Sequence, residues 1–421
     1  MAEITHDYEG ADSADVIAYY KKRFPQRVVK SLVEYETPFF AGCKKLDDLE
    51  GIHTVIPIEL DSPQGMSALV GTAMGNMSTS IARAWTITSA DNYGGIKLDG
   101  KTMLASRSDK GAFFKARERD YKNLMQQMGQ RFEYQCWNDS SGSVGVLSAD
   151  PGTGSTWTLT NPDDTLLLHE NMTFRVYDDD GAGAPDDADE RAGGPYVIAG
   201  IDEDAGTFTT TAVANAAIEV GDHIVRDGDV WDASTGAAVL ATGIPKWIPA
   251  AAPTDTLFGV ARTNYPQKLG GHRVAWQGSI EETAKKLDAK MRRVSQKGRV
   301  LWLSFANYNR LDLELGARGY RDENKSEGNF GRMRLRMTTP GGGVEVRCSP
   351  YCPEDAMFLL DPESWEVHTL GPAPHLAKDD GLSALRVGNG SSSEDAIEIR
   401  VRAFWQLVCV CPYSNGRAPI V

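Results

Sequence analysis

Residues 95–102, Gly-Ile-Lys-Leu-Asp-Gly-Lys-Thr, fit the pattern G-x-x-x-x-G-K-[ST]. In that pattern backbone amides cradle nucleotide phosphates, the lysine reaches them and the hydroxyl holds magnesium. The apolar run Met357-Phe358-Leu359-Leu360 ends in Asp361, the kind of acid such a site needs. The details oppose the chemistry. Asp99 puts a carboxylate beside the phosphates, the helix that should open at Lys101 has no start signal before Ser106, and Pro362 directly follows the acid. A β turn through Asp99-Gly100 accounts for the same residues more simply. Neither H-E-x-x-H nor G-x-S-x-G occurs, and the seven histidines, among them His53, His272, His368 and His375, are scattered. They read as surface or satisfied core residues, and no catalytic residue is assigned.

Metal chemistry has two candidates. The loop at 178–191 gathers Asp178, Asp180, Asp186, Asp187 and Asp189, a donor set suited to calcium, but Ala182 occupies a ligand position and Asp189 stands where a bidentate Glu belongs. A solvated acidic loop is the expectation. Among Cys43, Cys136, Cys348, Cys352, Cys409 and Cys411 there is no C-x-x-C, and the Cys348/Cys352 pair lacks the second pair that zinc requires. All six are expected as buried thiols, with Cys409 and Cys411 pointing the same way from one strand. No metal and no cofactor is assigned.

The elements around these residues suggest framework and surface. With 41% hydrophobic and 24% charged residues, 421 residues have room for two or three folded domains. The opening MAEITHDYEG is polar and acidic, and no apolar run reaches eighteen residues, so neither secretion nor membrane spanning is expected. The net charge is -14, and its placement is uneven. Residues 145–245 hold 19 acids against three Arg and no Lys, a net -16, which leaves the remainder at +2. An acidic surface repels phosphate, so gripping nucleic acid is not this segment's task.

Ser106 to Asn138 reads as one long helix, with Phe114, Tyr121, Met125, Met128, Phe132 and Cys136 forming an apolar stripe and a charged opposite face. At 1.5 Å per residue a helix from Ser108 to Asn138 spans about 45 Å, longer than a small domain is wide. Before it, residues 1–50 form an arm of short amphipathic helices. Residues 51–105 give strands flanking a weakly charged excursion at 61–80 that carries Met66, Leu69, Val70, Met74 and Met77, an adaptable contact surface. After the helix, short strands at 145–245 predict a small β barrel or sandwich. Residues 246–421 are mixed: a capping box at Ser279-Ile280-Glu281-Glu282 opens one helix, FANYNRLDLELG is a second, and Ile397 to Cys411 alternate as a long strand. The fold class is α+β, a long helix against an antiparallel sheet. A self-assembling structural protein suits these parts better than an enzyme.

The closing segment, AMFLLDPESWEVHTLGPAPHL, then GLSALRV and IEIRVRAFWQLVCVCPYSNGRAPI, resembles that of tailed-bacteriophage major capsid proteins with the Hong Kong 97 fold, and GAFFKARERDYKNLMQQMGQRFEYQCWNDSSGSVG resembles their spine helix and following turn. The resemblance implies an N-arm (1–50), an extended loop with flanking strands (51–105), the spine helix of the peripheral domain (106–144), an acidic β-rich insertion domain (145–245), and an axial domain with the remaining peripheral strands (246–421). It implies pentamers and hexamers closing an icosahedral head shell around packaged double-stranded DNA, touched only non-specifically. The extended loop would lie across a neighbouring subunit, and a procapsid built in the host bacterial cytoplasm would mature to the virion. The chain shows no long charged scaffold-like helix near its start, so a separate scaffolding protein is implied; the resemblance also implies a portal and leaves a decoration protein open as a further partner. No Lys and Asn are assigned to cross-linking. The competing readings are a phosphate-loop nucleotide-binding enzyme and a β-rich tail or adhesin protein.

Overall fold

The computed structural model describes residues 37–49, 51, 53–99, 116–178, 185–232, 239–293, 299–316, 320–322, 334–377, 385–389 and 392–421. The helices expected before residue 37, Lys101, Phe114 and the first turns of the long helix lie outside them.

The strand Ser392–Cys409 is 18 residues long and organises the first sheet. It pairs antiparallel with Ala90–Asp99 over ten residues, from Trp405 opposite Ala90 to Ala396 opposite Asp99, and on its other edge with Trp365–Thr369. Lys44–Leu46 runs parallel to that last strand. Alternation sets the burial: Ile399, Val401, Ala403, Trp405 and Leu407 point into the core while Arg400 is exposed. Toward its end both faces are enclosed, because residues 240–248 cross the outer one. There Thr242 N donates to Gln406 Oε1 at 2.8 Å and Trp247 Nε1 to the Leu407 carbonyl at 3.0 Å. The expected pairing of Cys409 and Cys411 on one face fails: the strand stops at Cys409, which is buried, and Cys411 is exposed. Pro412 follows, and the chain turns there into the short helix Pro412–Ser414.

The long helix runs through Ala116–Trp137, about 33 Å of described helix. It lies against the Ala90–Asp99 strand so closely that a Cβ at Gly94 would meet Leu124 at 3.0 Å. Met128, Phe132 and Cys136 are buried, Tyr121 and Met125 half-buried. Of the charged outer face, Arg119 and Lys122 are exposed. Gln130, Glu133, Gln135 and Trp137 are buried as well, because several other elements converge on the C-terminal half.

A second sheet has seven strands in the order His272–Arg273, Gly416–Pro419, Ala356–Leu360, Val300–Leu303, Gly342–Cys348, Arg334–Thr339 and Tyr320–Asp322. Helices Ile280–Arg292 and Phe305–Leu315 pack with it around a core of their own. Their N-caps are Ser279, which accepts from Glu282 N, and Ser304, which accepts from Asn307 N. Val300–Leu303 runs parallel to Gly342–Cys348, so this sheet is mixed. The helix Phe305–Leu315 lies between these two strands in sequence and supplies the crossover that parallel neighbours need.

Residues 143–226 build a third, six-stranded sheet ordered Ser143–Val146, His223–Arg226, Thr173–Tyr177, Tyr196–Asp202, Thr207–Thr210 and Thr156–Thr158. A bridge from Leu147 to Leu159, with Thr160 N donating to the Val146 carbonyl, joins last strand to first and closes a barrel. Trp157 fills it, 5.1 Å from Tyr196 and 5.4 Å from Phe174 between ring centroids. The chain leaves the end of the long helix to make this barrel and comes back to the same place. A Cβ at Gly243 would meet the carbonyls of Asn138 and Gln135 at 2.1 and 2.4 Å, so only glycine lets the returning chain approach the helix end.

Candidate functional site

Strands His53–Asp61 and Ile81–Thr88 form a two-stranded hairpin, in register from His53 opposite Thr88 to Asp61 opposite Ile81. One strand is fixed to the body: Trp85 and Ile87 are buried, Trp85 meets Trp247 edge to face at 5.2 Å, and Thr86 N donates to the Phe258 carbonyl at 3.0 Å. Lys268 Nζ holds the far end, at 2.5 Å from the Leu60 carbonyl and 3.3 Å from Asp61.

Beyond that clamp the chain changes character. No charged residue occurs from 62 to 82. The tip contains a six-residue helix, Val70–Gly75, with no buried residue. Met66 is 80% exposed, Leu69 69%, Val70 76%, Met74 60% and Met77 70%. Five large apolar side chains exposed within one short uncharged segment are what an interaction surface presents. A helix this short does not persist on its own propensity. Gln64 N donates to Ser78 Oγ at 2.8 Å across its base.

Behind the hairpin, on the long helix, sits a carboxylate that sequence reasoning missed. Glu133 is fully buried. Its Oε1 accepts from Phe39 N at 3.2 Å, Trp137 Nε1 at 3.0 Å and Ser349 Oγ at 3.1 Å, and its Oε2 from Phe40 N at 2.8 Å. Burial pushes its pKa up, opposed by those four donors. The carboxylate therefore fixes the helix Pro38–Gly42, whose Phe39 ring packs within 5.3 Å of Trp137 and 5.6 Å of Trp302. In the sequence Glu133 looks like any acid beside an apolar stripe; no spacing marks it.

The barrel meets the body through polar groups. Arg131 bridges Asp229 at 2.7 Å and Asn92 at 2.8 Å, and Gln130 Nε2 donates to the Leu166 carbonyl at 3.1 Å. Next to this seam lies a cleft of about 860 Å³, lined on the barrel side by Asp163 and Asp164 and on the body side by Glu354 and Asp355. Burial, then the charges of Asp163 and Glu354, raise the Asp164 pKa to about 7. A carboxyl raised in the folded state contributes stability at acid pH, and that contribution is lost as pH climbs from about 4 toward its folded value. Asp164→Asn is therefore expected to raise the heat-unfolding midpoint by a few degrees at pH 8 and to leave it unchanged at pH 4. Equal midpoints for both proteins across that range would contradict the assignment.

The residues with catalytic or metal-binding potential are not brought together. Gly95 to Asp99 belong to a strand hydrogen-bonded to Ser392–Cys409, whereas Asp361 follows a strand of the seven-stranded sheet and caps a turn by accepting from Glu363 N. Of the described acids of the 178–191 loop, Asp178 and Glu190 are ion-paired, Asp178 with Arg191 at 3.2 Å and Glu190 with Arg175, while Asp186 accepts from Ala188 N; outside the loop the same arginines hold both oxygens of Asp222 at 3.0 Å and Asp227. Asp178 is thus ion-paired where a freely solvated loop was expected. Among the described residues no three His, Cys, Asp or Glu side chains gather as a metal site. His368 is buried and bonded to Asp48 at 2.7 Å, while His272 packs against Tyr413 with the rings tilted by 33°, and burial lowers its pKa to about 4. Cys348 is only half-buried.

No family model matches the sequence, and no curated protein does. Solved structures match along nearly the whole chain. The cyanophage A-1(L) capsid asymmetric unit is 10% identical with a TM-score of 0.55, covering 95% of this chain and 96% of that one. The capsid of a native GTA particle is 8% identical with a TM-score of 0.52, covering 98% and 99%. The capsid of an empty GTA particle gives 8% and 0.51. The mixed α/β fold of this chain is similar to that of those capsid chains over 95% or more of its length.

Proposed function

We propose that this chain is the major capsid protein of a tailed phage, gathering as pentamers and hexamers that close an icosahedral head shell around packaged double-stranded DNA. The observation that carries the reading is the exposed, uncharged tip at 62–82 on a clamped hairpin, in a chain whose fold is similar to that of capsid chains over 95% of its length. In this reading the hairpin is the extended loop of the Hong Kong 97 fold, lying across a neighbouring subunit. The long helix is the spine. The sheet around Ser392–Cys409 forms the peripheral domain, the seven-stranded sheet with its two helices the axial domain, and the barrel an inserted domain. At -16 the barrel segment faces away from the genome, since phosphate repels it. A scaffolding protein, a portal and a decoration protein complete the set of partners, and assembly takes place in the host bacterial cytoplasm.

Nucleotide binding is disfavoured because Gly95 to Asp99 are committed to strand pairing and cannot wrap a phosphate. Electron microscopy of the purified chain tests the proposal: closed shells or ring-shaped capsomers are expected. Fibres, trimers or persistent monomers at concentrations where capsid proteins assemble would overturn it.

A further inference from the structure

Opposite in sign to the barrel is a groove of about 460 Å³ between the helix Ile280–Arg292 and the strand His272–Arg273. Its charged lining residues are Arg273, Lys286, Lys290 and Arg293, and no carboxylate lines it. A helix dipole favours cations in the last turn, which accounts for Lys290. It does not account for Lys286, a turn earlier, or for Arg273 on another element. Nor do acids neutralise these side chains in the hydrogen bonds they make. Lys286 donates to Gln277 Oε1, Lys290 to the Arg273 carbonyl at 2.8 Å, and Arg273 to the carbonyls of Pro249 and Gly270, each at 2.7 Å. Of the helix's three acids, Asp288 faces inward, paired with Arg292 and Arg299, Glu281 is paired with Lys285, and Glu282, exposed in the first turn, makes no ion pair with a groove cation among the described residues.

The barrel holds the complementary shape and charge. Between strands Tyr196–Asp202 and Thr207–Thr210 the chain turns tightly, with Gly206 at φ +63° and Ala205 N donating to Asp202 Oδ1 at 3.1 Å. Asp202, Glu203 and Asp204 are consecutive and exposed there, and none makes an ion pair among the described residues. A narrow turn carrying three carboxylates matches a pocket ringed by four cations.

We propose that the cationic groove of one copy receives the Asp202-Glu203-Asp204 turn of the barrel of a second copy. The inference rests on the self-assembly reading above. The competing anion is a nucleic-acid backbone. Binding a duplex spreads cations along a stripe that follows the phosphates, whereas these four surround one pocket in a chain whose remainder is only +2. A second copy also brings its acidic turn in equal number to the grooves.

The test is a charge swap in the full-length chain. Lys286→Glu with Arg293→Glu reverses the groove, and Glu203→Lys with Asp204→Lys reverses the turn; all four positions are exposed, so folding is retained. Each pair alone is expected to raise the concentration at which particles form, at low ionic strength, by about tenfold or more, and the four changes together to restore it. If the unaltered chain forms no particles, the shell reading fails and this inference with it. If it forms particles and either reversed pair forms them equally well, or the combined variant does not recover, the pairing alone is wrong. A groove variant that loses binding to a short DNA duplex while assembling normally assigns the groove to nucleic acid and overturns the proposal.

Discussion

Glu133→Ala is expected to lower the stability of the unassembled subunit by about 3–5 kcal/mol, because it strands four buried donors at roughly 1 kcal/mol or more each. Two of those donors are the backbone amides of Phe39 and Phe40, which have no other place to turn inside the core. The others are the Trp137 indole and the Ser349 hydroxyl. The loss spreads beyond hydrogen bonds, since Phe39 and Phe40 are the aromatic plugs that the carboxylate holds. Glu133→Gln separates the contributions. Its carbonyl can replace Oε1, which serves three donors, but its amide then faces Phe40 N, so about half the loss is expected. The amide also escapes the cost of burying a charge, the effect that raises the Glu133 pKa. Urea unfolding followed by tryptophan fluorescence measures both variants; a loss below 1 kcal/mol for Glu133→Ala would show the carboxylate is not the tie described.

If the chain builds shells as proposed, removing residues 63–78 is expected to abolish their formation while leaving the subunit folded. Asp61 and Ile81 are register partners, so the shortened hairpin closes through Ser62, Thr79 and Ser80, a loop of ordinary length. Trp85, Ile87 and the Lys268 clamp are untouched, and the heat-unfolding midpoint should not move. What disappears is the apolar tip. Covering a side chain such as Leu69 or Met74 contributes about 1.5–3 kcal/mol at full burial, an upper limit because association entropy opposes it. Repeated at every neighbour contact, that loss is larger than a shell made of weak contacts can absorb. Sedimentation and electron microscopy read the outcome, and normal particles from the deletion would refute the role given to the tip.

Local rules made much of this fold legible. The period-two alternation from Ile397 onward, the cap at Ser279 and the apolar spacing of Met128, Phe132 and Cys136 each describe a single element against a single neighbour, and the structure has those elements. Where several elements meet, the same rules stop working. The C-terminal half of the long helix is enclosed on more than one side, so periodicity says nothing about Gln130, Glu133 and Gln135. The parallel pairing of Val300–Leu303 with Gly342–Cys348 depends on a crossover that no residue type announces. Barrel closure likewise rests on Leu147 meeting Leu159, two leucines with nothing local to distinguish them. At the candidate surface, the absence of charge from 62 to 82 was visible in the letters, whereas the clamp that holds its base comes from distant Trp247, Phe258 and Lys268.

Gly142 and Gly243 mark the two crossings between body and barrel. A Cβ on Gly142 would meet the Asp229 carbonyl at 2.3 Å, just as one on Gly243 would strike the helix end, so the outbound and inbound chains lie side by side. The route of the backbone through the core is therefore the same length whatever hangs between those points. The long helix and the sheets behind it can therefore keep their packing unchanged whatever the chain builds between those two glycines.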